Sequence, residues 1–264
     1  MLKKRFPVLV FTIIISITGL SLAGTPEDML VMAWQFDDII TLDPAEIFEF
    51  SGAEYACNTY DRLIRYDVDD VTRISGLLAE SWKISQDGKT YTFKIRKHVK
   101  FASGNPMTAE DVVFSLHRVV FLDKSPAFIL GQFGFTAENV KNKIRAADDY
   151  TVTLETDKVY APTFLLYCLT AGVGSVVDKK VVLQHEENGD LGYNWLKTHF
   201  AGGGPFRLNN WRAAEILTLD ANEHYWDGIP KMKRVIIRHI AEPATQRLLL
   251  EKGDIDIARN LGPD

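Results

Sequence analysis

The sequence predicts an α/β chain built around a mixed β-sheet, and three observations favour that class. Residues 78–118 read as two short strands followed by a helix. Residues 235–258 read as strand, helix, strand, a spacing typical of a parallel crossover unit. The chain has 264 residues, of which 46% are hydrophobic and 25% are charged, which is enough apolar material for one or two cores.

The segment 78–118 carries the strongest local pattern. Apolar side chains alternate with polar ones on both sides of an Asp87-Gly88 pair, at Trp82, Ile84, Tyr91, Phe93 and Ile95. Alternation around Asp-Gly predicts a β-hairpin. Thr108 then stands at an N-cap position with Asp111 three residues later, and the apolar positions that follow have helical spacing.

The order of these pieces resembles a known family. L-A-E-S-W, then D-G-K-T-Y-T-F, then R-K-x-V-K-F-x-x-G-x-P-x-T-A-E-D-V-x-F-S are similar to the signature of the peptide-type solute-binding proteins of ABC importers, family 5. The resemblance implies a periplasmic-binding-protein type II-like lobe with a mixed sheet and a small α+β subdomain. It extends over essentially all of the chain after the leader, but corresponds only to the N-terminal half of family members.

The resemblance also implies a division of the chain. Residues 24–60 and 183–258 form the large lobe, and residues 61–182 form a small subdomain inserted in it. Residues 259–264 begin a hinge toward a second lobe, which we expect to be absent from this chain. Further family markers are Tyr60-Asp61-Arg62-Leu63, Gly202-Gly203-Gly204-Pro205-Phe206 and Asn222-Glu223-His224-Tyr225-Trp226, with Gly203 departing from the usual threonine.

Residues 1–23 read as a secretory leader. A positive start at Lys3-Lys4-Arg5 precedes an apolar stretch, and small residues end at Ala23, where we expect cleavage. An N-terminal membrane anchor is the alternative interpretation. No cysteine follows Ala23, so a lipoprotein is not expected, and the predicted location is the periplasm of a Gram-negative cell.

Charge disfavours nucleic acid as a partner. The formal net charge is −5, and it becomes −8 once the three basic residues of the leader are removed. The sequence shows no basic stripe that would bind a phosphate backbone.

The candidate ligand-binding residues follow the first strand, predicted at residues 30–34. In the resembled family, the segment after Leu42-Asp43-Pro44 lines the ligand cleft, where extended backbone pairs with a bound peptide. We therefore predict an extended segment over residues 47–52, followed by a helix from Glu54 to Ile64. The ligand-binding candidates are Trp34, Phe36, Phe48, Glu49, Phe50 and Ser51. Burial in the core is the alternative for the aromatic residues.

The two cysteines leave two interpretations open. Cys57 and Cys168 both fall in predicted helices. An oxidising compartment permits a disulfide between them, whereas two buried free thiols are the alternative.

Nothing in the sequence supports catalysis, a metal site or a cofactor. The six histidines lack the spacing of a zinc helix. The serine after Gly172-Val173-Gly174 is one place late for a nucleophile elbow. The glycines at 202–204 precede a strand pattern without the lysine of a phosphate loop, and the pairs Asp37-Asp38 and Asp148-Asp149 are typical of turns.

The predicted function is therefore that of a receptor, with no enzymatic activity. It would bind a peptide or similar small solute between two lobes and deliver it to an ABC permease in the inner membrane, acting as a monomer. A truncated or split lobe that acts as an interaction module with a separate second half, or with the permease, is the alternative. Nickel, haem and oligosaccharides are alternative ligands.

Overall fold

The computed structural model describes residues 24–67 and 69–262. The predicted leader, residues 1–23, lies outside the described residues. The strands are, in chain order, Met29–Trp34 (β1), Ile64–Tyr66 (β2), Ile74–Gly76 (β3), Ala79–Ile84 (β4), Thr90–Ile95 (β5), Ile144–Asp148 (β6), Thr151–Glu155 (β7), Phe206–Arg212 (β8), Ile216–Ala221 (β9), Arg234–His239 (β10) and Ile257–Ala258 (β11). The α-helices are Phe50–Thr59 (α1), Ala109–Leu122 (α2), Phe128–Gly131 (α3), Val140–Lys143 (α4), Pro162–Leu169 (α5), Lys179–Gln184 (α6), Tyr193–Leu196 (α7) and Pro243–Lys252 (α8).

The largest sheet is mixed and has five strands in the order β11-β1-β10-β9-β8. Strand β1 pairs in parallel with both β10 and β11, whereas β9 pairs antiparallel with β10 and with β8. The predicted strand-helix-strand unit is therefore present as β10-α8-β11, with β1 inserted between its two strands. A second, four-stranded antiparallel sheet has the order β4-β5-β7-β6, and β2 and β3 form a short ribbon.

The buried side chains separate into two principal cores. One core packs α2 against the four-stranded sheet, with Phe93, Leu116 and Leu154 fully or almost fully buried in it. The other packs α1 and the loop before it against one face of the five-stranded sheet, around Trp34 and Leu217. A smaller cluster with Val31 and Ala33 lies on the opposite face of β1, where Leu249 of α8 packs against it.

The predicted hairpin and helix start are confirmed. Strands β4 and β5 pair antiparallel, and Gly88 in the turn between them has a φ of 73°. At the start of α2, the Thr108 N–H donates to the Asp111 carboxylate at 2.8 Å, which is one half of a capping box.

A buried ion pair connects the two cores. Both terminal guanidinium nitrogens of Arg118, on α2, donate to the Asp43 carboxylate at 2.7 and 2.6 Å. The two side chains are 1% and 0% exposed. Arg118 Nε donates in addition to the Leu191 carbonyl at 2.8 Å. The aspartate of the Leu42-Asp43-Pro44 marker therefore holds the loop after β1 to helix α2 and its core.

A second buried carboxylate joins two other family markers. Asp61 accepts hydrogen bonds from Trp226 Nε1 at 2.8 Å and from the Tyr225 hydroxyl at 3.3 Å. Burial raises the pKa of Asp61 to about 6, although these two hydrogen bonds lower it in part. Asn222 donates to the Gly204 carbonyl at 2.9 Å, so the glycine-rich turn is held at the same junction.

Helix α1 differs from the prediction at both ends. Phe50, Ser51 and Gly52 lie in the helix instead of an extended segment, and the helix ends at Thr59. Asp38, more than ten residues away in the chain, accepts from the Ser51 N–H at 3.2 Å and so supplies the first turn with an acceptor. Tyr60 is extended, and Asp61 after it is held by Trp226. The expected backbone pairing with a peptide along residues 47–52 is therefore wrong for the helical part.

Both cysteines are free thiols. The expected burial is wrong for Cys57, which is exposed on α1, and Cys168 is half-buried. Arg62 donates to Cys57 Sγ at 3.1 Å, and Gln132 donates to Cys168 Sγ at 3.4 Å, so each sulfur has a polar neighbour of its own.

Within residues 24–67 and 69–262, none of the helices is both long and apolar enough to cross a membrane.

Replacing Arg118 with methionine is expected to lower the free energy of unfolding by about 3–5 kcal/mol, because the Asp43 carboxylate would stay buried without its partner. Urea unfolding of the variant measures this. The matched control is Arg212→Ala, which removes the exposed pair between Arg212 and Glu215 and should cost at most about 1 kcal/mol. Equal losses in the two variants would contradict the assigned importance of the buried pair.

The raised pKa of Asp61 predicts a pH-dependent stability. The folded state favours the protonated carboxyl, so its contribution is complete below the ordinary pKa of 3.8 and is lost as the pH rises through about 6. A difference of about two pKa units corresponds to about 3 kcal/mol. The variant Asp61→Asn can keep hydrogen bonds to both Tyr225 and Trp226, and its side chain does not titrate. Urea unfolding at pH 4 and pH 7.5 should show wild type losing about 2.4 kcal/mol relative to the variant, because at pH 4 a small part of the contribution is already lost. Parallel pH profiles would rule out a raised pKa.

Candidate functional site

The candidate site lies at the edge of the large sheet where its parallel strands end. Strands β1, β10 and β11 end at Trp34, His239 and Ala258, and the parallel pairing places these ends on the same edge. In open α/β sheets, ligands bind in the crevice outside the carboxyl ends of the strands. The loop of residues 35–49 leaves the sheet at this edge and leads into α1.

Hydrogen bonds fix the course of this loop. The Phe36 N–H donates to His239 Nδ1 at 3.1 Å, which places the neutral ring's proton on Nε2. Asp38 accepts from the Ser51 N–H at 3.2 Å. The Leu42 N–H donates to the Lys197 carbonyl at 3.0 Å, just before the buried pair at Asp43. The loop is thus held at its start, its middle and its end.

Three exposed aromatic side chains form a ridge beside the loop. Phe48 and Phe50 lie at its end and at the start of α1, and Phe128 comes from α3. They are 59%, 94% and 58% exposed, respectively. The rings of Phe48 and Phe128 meet edge to face, with centroids 5.8 Å apart and an interplanar angle of 89°. We call Phe48, Phe50 and Phe128 the aromatic ridge.

Carboxylates flank the aromatic ridge. Glu49 accepts from the Phe48 N–H at 2.9 Å, and its other oxygen is buried without a hydrogen-bond partner among the described residues. That oxygen lies against Gly52, where an added Cβ would come within 2.5 Å of it. Asp37 and Asp38 are exposed on the same loop. The site can therefore offer apolar surface together with acceptors for an ammonium or amide N–H group.

A separate apolar cavity lies between α1 and the five-stranded sheet. Its volume is about 240 Å³, and it opens to solvent. Met32, Trp34 and Phe36 line it from the β1 side, Leu217 lines it from β9, and Ser51 lines it from α1. We call this cavity the sheet groove.

The structure divides the six predicted binding residues between the aromatic ridge and the sheet groove. Phe48 and Phe50 belong to the ridge, and Glu49 lies between them. Trp34 and Phe36 are buried at 4% and 1% exposure and line the groove, as does Ser51. Trp34 and Phe36 therefore contribute to the core, and a solute contact by them stays a prediction.

Three further residues of this region were not predicted from sequence. Phe128 reaches the ridge from α3, and His239 contacts Phe36 across the sheet edge, with ring centroids 5.4 Å apart. Arg259 pairs with Glu54 at 2.6 Å and lies over the Trp34 ring at 4.3 Å from its centroid. These contacts join distant parts of the chain, and the local sequence pattern carries no signal for them.

The described part of the chain contains no group of three or more histidine, cysteine, aspartate or glutamate side chains arranged to hold a metal ion.

Comparison with known protein families identifies the chain. Residues 73–264, more than half of it, match the model for bacterial extracellular solute-binding proteins, family 5, middle region. The chain belongs to this family. The family resemblance seen in the signature of residues 78–115 is thereby confirmed.

Several family 5 relatives are similar along most of the chain. The probable D,D-dipeptide-binding periplasmic protein DdpA of Escherichia coli K12 is 36% identical over 245 residues, which are 92% of this chain and 45% of the relative. The dipeptide-binding protein DppE of Bacillus subtilis is 29% identical over 69% of this chain and 34% of its own length. The chain thus spans less than half the length of these relatives.

Solved structures confirm the predicted α/β lobe with a mixed sheet. The periplasmic binding protein DppA of Helicobacter pylori, in complex with the peptide STSA, superposes with a TM-score of 0.69 at 29% identity, over 86% of this chain and 45% of that protein. MoaA of Agrobacterium tumefaciens R10, in complex with mannopinic acid, gives a TM-score of 0.76 at 27% identity, over 88% of this chain and 45% of that protein. The relatives are solute-binding transport proteins, so the family as a whole is not enzymatic.

Replacing Asp38 with alanine is expected to lower the free energy of unfolding by about 1 kcal/mol, because the first turn of α1 loses an acceptor for the Ser51 N–H. Asp37→Ala is the matched control. Asp37 accepts only a long bond of 3.4 Å from Gln35, and the variant should stay within about 0.5 kcal/mol of wild type. Thermal unfolding of both variants measures the difference. Similar effects in both would show that Asp38 does not cap α1.

Proposed function

We propose that this chain is part of a receptor of an ABC importer and binds peptides or similar small solutes at the aromatic ridge. The observation that supports this is the ridge itself: three exposed phenylalanines near the carboxyl edge of the sheet in a family 5 chain, two of which, Phe48 and Phe128, pack edge to face. Exposed, ordered apolar surface of this kind marks binding sites more often than ordinary protein surface.

The geometry suggests how such a solute would be held. Apolar parts of the solute would pack on Phe48 and Phe50, and a terminal ammonium would lie near the exposed carboxylate of Asp38, which is bound to the first turn of α1. From Phe50 onward the backbone hydrogen-bonding groups belong to helix α1. Pairing of this backbone with an extended peptide therefore contributes less than the sequence predicts. The recognition is then carried by side chains.

The relatives suggest which solutes to try first. A relative 36% identical is described as binding D,D-dipeptides, and another solved with a bound peptide is 29% identical. MoaA, at 27% identity, was solved with mannopinic acid, so the shared fold does not fix the ligand class. A small dipeptide is the simplest probe that matches both the ridge and these relatives.

The remaining parts of the proposal concern location and partners. The receptor would be a periplasmic monomer, would deliver its solute to a permease in the inner membrane, and would catalyse no reaction. Because the chain spans only 45% of the first relative, the second wall of the site would come from the remainder of a full-length protein. One wall alone should bind a dipeptide only weakly, with a Kd on the order of 1 mM.

The test is an NMR titration of residues 24–264 with D-Ala-D-Ala and, in parallel, with L-Ala-L-Ala. At millimolar dipeptide, amide shifts should change at residues 47–51 and at Phe128, because the solute would pack directly on the ridge. The double variant Phe48→Ala/Phe50→Ala should reduce these changes by at least about threefold, since it removes two of the three rings. Phe164→Ala removes another exposed phenylalanine outside the ridge and should leave them unchanged.

Two results would count against the proposal. Shift changes confined to other surfaces, or none with either dipeptide, would remove the ridge as the solute site. Calorimetry that gives micromolar affinity for this chain alone would contradict the proposal that the chain supplies only one side of the binding site.

A further inference from the structure

A further cavity lies at the edge of the five-stranded sheet opposite the aromatic ridge. Strand β8 runs antiparallel to β9, and β9 runs antiparallel to β10, so β8 begins at the edge where β10 begins. Arg207, the second residue of β8, lines a cavity of about 170 Å³ there. Other walls come from residues 101–103 and 200–202, and from Asp178 and Val181 at the start of α6. We call this cavity the Asp178 pocket.

The carboxylate of Asp178 is buried without a cation. Asp178 is only 1% exposed. Aspartates are almost never fully buried unless they are paired, because an isolated charge is costly to remove from water. Among the described residues, no lysine, arginine or histidine forms an ion pair with Asp178, and the adjacent Lys179 pairs with Glu110 instead, at 3.1 Å. The buried negative charge is therefore balanced only by hydrogen bonds.

These hydrogen bonds orient the carboxylate and leave it one acceptor position. One oxygen accepts from the Ser103 hydroxyl at 2.6 Å and from the Asn105 side-chain amide at 2.8 Å. The other oxygen accepts from the Val181 N–H at 3.1 Å. A carboxylate has about four acceptor positions, so one more donor can bind. Because Asp178 lines the pocket, a donor inside the pocket can occupy this position.

A second carboxylate makes a cation more favourable than a neutral donor. Asp111, on α2, is 8% exposed and accepts from the Lys179 N–H at 3.2 Å. Burial raises the pKa of Asp111, hydrogen bonds from Thr108 and Lys179 lower it, and the negative charge of Asp178 raises it. The two carboxylates thus lie close enough to repel each other, and a cation beside Asp178 would offset that repulsion.

The remaining walls offer apolar contacts. Phe101 is fully buried, and Phe200 and Leu208 are half-buried. All three line the pocket. A cavity of about 150 Å³ can hold a molecule the size of benzene, so a cavity of this volume has room for an aliphatic side chain.

Arg207 supplies a positive charge to the same pocket. Its side chain is exposed, and it lies opposite Asp220 on β9. Asp220 already accepts from Arg234 Nε and from the Asn209 side-chain amide, both at 2.7 Å. The guanidinium of Arg207 can therefore bind a carboxylate of a ligand through two N–H groups.

We propose that the Asp178 pocket is a second solute site, which binds a small apolar amino acid as its zwitterion. The ammonium of the amino acid would bind Asp178, and its side chain would pack on Phe101 and Phe200. Its carboxylate would bind Arg207. The inference rests on the pocket alone and does not depend on the solute bound at the aromatic ridge.

The test compares three ligands that share one carbon skeleton in NMR titrations of residues 24–264. L-leucine carries both charges, isoamylamine carries only the ammonium, and isocaproate carries only the carboxylate. L-leucine should change the amide shifts of Ser103, Val181 and Gly202 with a Kd on the order of 1 mM. Isoamylamine should change the same shifts with an affinity about tenfold lower, since it lacks the contact with Arg207. Isocaproate should leave them unchanged, because it would bring a second negative charge to Asp178.

Two variants assign the charges to their residues. Arg207→Gln should weaken binding of L-leucine by at least about fivefold and leave isoamylamine unchanged. Arg212→Gln is the matched control, since Arg212 is exposed on the same strand and lies outside the pocket. Asp178→Asn should abolish the shift changes with both L-leucine and isoamylamine, and circular dichroism checks that this variant keeps its fold.

Three results would overturn the proposal. These are unchanged shifts at the pocket with L-leucine, binding of isocaproate as tight as that of L-leucine, and equal weakening by Arg207→Gln and Arg212→Gln. Shift changes with L-leucine that are confined to the aromatic ridge would support the ridge as a solute site and count against the pocket. Failure of the one proposal can therefore be told apart from failure of the other.

Discussion

The arrangement of this chain depends on one buried interaction, the bidentate pair between Asp43 and Arg118. Burying two charges is costly, and the cost is offset only when the geometry is good and the remaining polar groups are satisfied. Here both conditions hold. Asp43 also accepts from the Ala45 N–H at 2.9 Å, and Arg118 also donates its Nε–H to the Leu191 carbonyl. Three separate parts of the chain, the loop after β1, helix α2 and the segment before α7, therefore meet at a single point.

This pair explains why the aromatic ridge has a defined shape. The Asp43 carbonyl accepts from the N–H groups of Glu46 and Ile47, so the backbone that presents Phe48 begins at the ion pair. Phe128 is exposed but lies between Ala127 and Leu130, which are buried in the other core, so it can meet Phe48 edge to face only if the two cores keep a fixed relation. The Tyr193 hydroxyl adds a contact to Glu46 at 2.9 Å from the same region. The ridge is thus a product of the junction between the cores, and neither core alone would form it.

The sequence predicted what local patterns encode and missed what long-range contacts decide. The hairpin at Gly88 and the helix start at Thr108 follow from neighbouring residues, and both are present. The start of α1 was wrong because its acceptor, Asp38, lies far away in the chain. The markers at Asp61 and at Tyr225-Trp226 were recognised as separate motifs, but their hydrogen bonds across 165 positions show only in the structure. Trp34 and Phe48 looked alike in sequence, since an aromatic side chain in a polar context carries no sign of the element that will cover it.

Helix α1 gives the ridge and the groove a common element. Its first turn carries Phe50 and, on the adjacent face, Ser51 at the groove. One turn further, Glu54 is bound to Arg259 at the end of β11. The turn that presents Phe50 is therefore fixed from two sides, by Asp38 through the Ser51 N–H and by Arg259 through Glu54 one turn later.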